Sequence, residues 1–62
     1  MSLSPMDMLR KCRDQFARYA REHRARESNT SRSAEDREIS GIKAETNERL
    51  VAEIEATIRD WE

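Results

Sequence analysis

The sequence predicts an all-α fold: two long antiparallel helices, an αα-hairpin, pairing with a second copy into a four-helix bundle. Three observations lead there. Apolar residues recur at spacings of three and four on both sides of a single polar break at Ser28–Ser33. Each stretch opens on the same punctuation, a serine followed three residues later by an aspartate. The composition, 40% charged and 35% hydrophobic with Phe16, Tyr19 and Trp61 the only aromatics, leaves a lone hairpin short of core.

The first helix is expected from Pro5 to about Glu27. Ser4 is placed to accept from free amides as the N-cap, Pro5 suits the first helical position, and Asp7 completes an S-x-x-D box at the positive helix end. Leu9, Cys12, Phe16, Tyr19 and His23 then form an a/d seam of about two heptads. The next seam position is Arg26, where the apolar character ends.

Between the helices, Ser28-Asn29-Thr30-Ser31-Arg32-Ser33 has no helical pattern. Its serines and asparagine compete with the helical backbone for hydrogen bonds and favour a turn. A second helix is expected from Ala34 to about Trp61, capped by Ser33 with Asp36. Its apolar set is Ile39, Ile42, Leu50, Val51, Ile54, Ile58 and Trp61. Val51, Ile54, Ile58 and Trp61 hold one heptad frame, whereas Ile39 and Ile42 read in another. The shift falls between Ile42 and Leu50, with Thr46 and Asn47 on the inner face. Ile39, Leu50 and Trp61 also recur every eleven residues, a repeat that a nearly straight helix accommodates. Gly41 costs roughly 1 kcal/mol relative to Ala within a helix, tolerated there or used for close helix approach.

Charge divides along the same line. Residues 1–33 carry eight basic and four acidic side chains, and residues 34–62 four basic and nine acidic, beneath an overall net charge of −1. Two arms of opposite sign complement each other across a hairpin. The one cysteine excludes an intrachain disulfide framework and suits a reducing cytoplasm. No apolar run nears the roughly 20 residues of a membrane span, so no membrane association is expected. Met1-Ser2-Leu3 reads as a cloning leader, which puts the natural start at Met6 or Met8.

No cluster of residues points to catalysis. His23 is the only histidine, and Cys12 lies about 16 Å away along the same helix, so the two cannot share a site within one chain. Cys12 reads as a buried seam cysteine, and no glutamate precedes a histidine at the spacing of a helical di-iron site. No catalytic residue, metal or cofactor is therefore expected. The acids Glu45, Glu48, Glu53, Glu55, Asp60 and Glu62 read as a solvated face meeting the basic arm. Arg18, Arg21, Arg24 and Arg26, with Tyr19 among them, form the alternative site, a set of phosphate contacts with a stacking aromatic.

Leu9-Arg10, Cys12-Arg13, Gln15-Phe16, Tyr19 and His23-Arg24-Ala25 precede the polar loop. Lys43-Ala44-Glu45-Thr46-Asn47-Glu48 and Ile54-Glu55-Ala56 follow it. This order resembles small helical proteins of uncertain function encoded in phage and prophage genomes. The resemblance implies an accessory role in a bacterial cytoplasm and carries no catalytic or binding residues with it. The expected function is a non-catalytic protein-interaction or assembly module, self-associating through Leu9, Cys12, Phe16, Tyr19, Ile39, Leu50, Ile54, Ile58 and Trp61. The alternative is a nucleic-acid-binding accessory protein using the basic first helix.

Overall fold

The computed structural model describes residues 3–62 and contains two helices, α1 (Pro5–Glu27) and α2 (Ala34–Trp61), packed antiparallel. Among the described residues there is no strand. The leader expected at residues 1–3 falls mostly outside them. Both helices start on a serine cap. Ser4 Oγ accepts from the Asp7 amide at 3.1 Å, and Ser33 Oγ accepts from the Asp36 amide at 3.1 Å. At its far end α1 places Arg24 and Arg26 in the last turn, beside the exposed carbonyls. One of those carbonyls is claimed from α2: Arg37 Nε donates to the Glu27 oxygen at 2.8 Å and clips the hairpin shut at its loop. Inside the loop, Asn29 Oδ1 accepts from the Ser31 amide and the Asn29 carbonyl accepts from Arg32, making a compact turn.

An unbroken heptad runs along each helix. In α1 the inner residues are Met6, Leu9, Arg13, Phe16, Ala20, His23 and Glu27; in α2 they are Arg37, Ser40, Ala44, Asn47, Val51, Ile54 and Ile58. All fourteen are buried or half-buried. Ala20, Ser40, Ala44 and Ile58 alone are buried among the described residues, with Ala44 at 0% exposure. Small side chains along the seam bring the helix axes close together. Larger neighbours are pushed aside.

That changes the seam expected from the sequence. Leu9 and Phe16 keep their places, but Arg13 and Ala20 stand where Cys12 and Tyr19 were expected. Cys12 is an exposed thiol rather than a buried seam cysteine, and Tyr19 is exposed too. In α2 the Val51–Ile54–Ile58 frame runs back without interruption through Asn47, Ala44, Ser40 and Arg37, so the expected frame shift does not occur. Ile39 and Ile42 simply lie outside it, 43% and 59% exposed. Apolar periodicity tracked the large side chains; the tight seam selected the small ones.

The result is a ribbon one helix thick. Its extents are 43 × 25 × 11 Å and its radius of gyration 14.3 Å, against about 10.6 Å for a compact chain of this length. The accessible surface is 4908 Å², roughly 700 Å² more than a folded monomer of this mass ordinarily exposes. Stable domains bury their apolar faces between two or more layers. This hairpin supplies only one.

A candidate interaction face

With the heptads fixed, helical periodicity assigns every other residue to one of two broad faces. On α1, Cys12 and Tyr19 are one heptad apart and point out of one face, with Met8 a turn before Cys12. On α2, Ile39 and Leu50 are eleven residues apart, three turns plus about 20°, and lie along the same face, and Trp61, eleven further on and three past Ile58, ends that line where it drifts into the end of the seam. Two clefts lie on this face toward the open end, and of the α2 stripe only Trp61 lines one of them. One of about 740 Å³ is walled by Pro5, Met6, Met8, Leu9 and Cys12 from α1 and by Thr57 and Trp61 from α2. The other, about 440 Å³, lies between Leu3, Met8, Cys12, Phe16 and Tyr19, with Lys11 on its rim. Met8 and Cys12 belong to both, which joins the clefts into one apolar surface.

Trp61 stands at the open end of the hairpin, opposite the loop. It lines the larger cleft with Met6, Met8 and Leu9, as antiparallel packing predicts, yet remains 79% exposed. Tyr19 is held in place, although exposed. Its ring meets Phe16 edge-on with centroids 6.5 Å apart, and its hydroxyl accepts from Gln15 Nε2 at 2.6 Å.

The opposite face is charged and already paired. Arg24 grips Glu48 through a two-pronged contact, Nε to Oε2 at 3.0 Å and Nη2 to Oε1 at 2.7 Å, and reaches Glu27 at 2.9 Å. These hydrogen bonds hold the Glu48 carboxyl below its ordinary value and raise Arg24 above its own. Nearer the open end, Arg10 bonds Glu62 at 3.1 Å and lies 3.6 Å from Asp7. A dip of about 370 Å³ on this face, between Ala17, Ala20 and Val51, is rimmed by Arg21, Arg24 and Glu48. The acidic arm therefore meets the basic one at two points, Glu48 and Glu62.

Of the four arginines in the alternative site, Arg24 is occupied by two carboxylates, while Arg18, Arg21 and Arg26 are exposed. At 100° per residue they spread over more than half of the circumference of α1 and share no single strip. His23 is half-buried in the seam, and its Nδ1 has no hydrogen-bond partner. Among the described residues no three His, Cys, Asp or Glu side chains gather closely enough to hold a metal ion, and no helix is long and apolar enough to cross a membrane.

Arg13, Ala20, Ser40, Ala44 and Asn47 are the seam residues that apolar patterning missed. A signal was present: counting back from Ile58 in steps of four and three lands on each of the α2 members. Compared with known proteins, the chain matches no family model, no curated protein and no solved structure.

Proposed function

We infer that this protein is a non-catalytic interaction and assembly module that works by laying its apolar face against a second copy, giving a homodimeric four-helix bundle. One observation carries the reading. Among the described residues the hairpin buries only Ala20, Ser40, Ala44 and Ile58, yet it leaves Met8, Tyr19, Ile39 and Trp61 exposed on one side. Exposed apolar patches of this kind mark docking surfaces. The surplus surface of roughly 700 Å² is close to the 800 Å² or so that each partner contributes to a standard interface. A cytoplasmic setting accords with the exposed Cys12 thiol, which stays reduced there.

Light-scattering mass across a concentration series, with helicity read on the same samples, tests this. A helical dimer is expected, and a helical monomer at all concentrations refutes self-association. Retention on duplex DNA at low salt, lost steeply as salt rises, would instead favour phosphate binding through Arg18, Arg21 and Arg26.

A further inference from the structure

Two ribbons can meet on this face about a two-fold axis in only two ways. An axis across the ribbon stacks α1 on α1 and α2 on α2, with each open end over the other's loop. An axis along the ribbon stacks α1 on α2 of the second copy, open end over open end. Building on the self-associating reading above, we propose that the second copy docks about the lengthwise axis, so that Trp61 of each chain enters the apolar cleft of the other.

Shape and chemistry of the face favour this arrangement. Its large apolar groups are crowded toward the open end: Met8, Leu9 and Cys12 around the 740 Å³ cleft, with Trp61 projecting beside it. Toward the loop the same face carries a single exposed large apolar side chain, Ile39, set among Glu22, Arg26, Asp36 and Lys43. The lengthwise axis sets apolar end on apolar end, a bulky aromatic beside a cleft meeting its own image, which is how a self-complementary interface works. The crosswise axis covers Trp61 with the charged end.

Charge points the same way. Within one hairpin, Arg10 pairs with Glu62 and Arg24 with Glu48, which fixes the register of α1 against α2. The same register sets Lys11 level with Asp60 and Arg18 level with Glu53, each pair one heptad from the other on the outer flanks of the ribbon. A lengthwise two-fold preserves height, so Lys11 faces Asp60 of the second copy and Arg18 faces its Glu53. The crosswise axis opposes basic flank to basic flank and acidic to acidic, which suppresses that arrangement.

The test places a spin label at the loop tip, Thr30→Cys in a Cys12→Ala background, and reads the distance between copies by pulsed electron paramagnetic resonance alongside solution mass. The lengthwise dimer brings the two tips within roughly 10–25 Å, a helix diameter or two. A dimer whose tips lie a ribbon length apart, 43 Å or more, overturns the proposed axis while leaving self-association intact. A monomer of the unsubstituted chain overturns both. A second measurement needs no label: Lys11→Glu with Arg18→Glu should weaken dimerisation on the order of tenfold, and adding Glu53→Lys with Asp60→Lys should restore it. Failure of the four-fold swap to rescue a still-helical chain rejects the arrangement.

Discussion

Gly41 is the only glycine in the chain, and replacing it with alanine tests how closely the two helices approach. Its φ is not positive, so alanine takes up the same backbone without strain. An added Cβ would overlap the Glu27 carboxylate, which curls over this position, but would meet Glu27 Cγ at an ordinary 3.6 Å. Only the tip of a flexible side chain must swing away. The helix gains roughly 1 kcal/mol from the better former. What is given up is the Glu27 contact to Arg24, between side chains 39% and 42% exposed, and water replaces it. Gly41→Ala is therefore expected to stabilise the protein by about 0.5–1 kcal/mol, raising the melting temperature by about 4–8 °C in a chain of this size. Thermal unfolding by far-UV circular dichroism reads this, at one fixed protein concentration because self-association shifts the midpoint. On a Glu27→Ala background the full gain should appear. A loss of about 1 kcal/mol or more in both backgrounds would show instead that α1 backbone rather than a side-chain tip fills the space.

Ala44, with no exposed surface, is the tightest point of the seam. Ala44→Leu should cost about 1–3 kcal/mol by forcing the helices apart, measured by urea denaturation. Phe16→Asp places an unpaired charge on the half-buried seam and should abolish the oligomer or unfold the chain; unchanged mass and helicity would mean that the wrong side of α1 has been placed inside. Glu48 gives a dependence on pH. Its carboxyl is held below the ordinary value by Arg24, so its contribution is present above about pH 4.3 and disappears as pH falls through the lowered value. Glu48→Gln should flatten that acid limb of the stability profile, and an unchanged limb would show that the Arg24 fork does not persist in solution.

The two helices and the turn between them were legible because their signals are local. Ser4 with Pro5, and Ser33 with Asp36, specify helix starts through bonds made within four residues. The charge asymmetry likewise foretold contacts between the arms, found at Arg24–Glu48 and Arg10–Glu62. Which side of each helix turns inward was less legible, because that choice belongs to the pair. Cys12 and Tyr19 continue the apolar spacing of Leu9 and Phe16 as well as Arg13 and Ala20 continue the heptad, and one helix alone offers no means of choosing. Two opposed helices choose by fit: alanine and serine at Ala20, Ser40 and Ala44 allow an approach that isoleucine at Ile39 and Ile42 would block. A stripe of large residues thus went to the outside, where it became the candidate interaction face.

The seam is also unequal along its length. Beyond Asn47 it is made of Val51, Ile54, Ile58, Met6, Leu9 and Phe16 with Arg13 among them; nearer the loop it is made of Arg37, Ser40, Ala44, Ala20, His23 and Glu27 with a guanidinium–carboxylate cluster beside it. The two halves therefore answer to different solvents. Raising ionic strength screens the exposed ion pairs at both ends, most of all the Arg24 cluster near the loop, while cooling weakens the open half, which holds the larger hydrocarbon side chains. Hydrogen exchange along the backbone should show the cold opening the hairpin first where Leu9 and Ile58 meet, and salt loosening both ends, the Arg24 end the more.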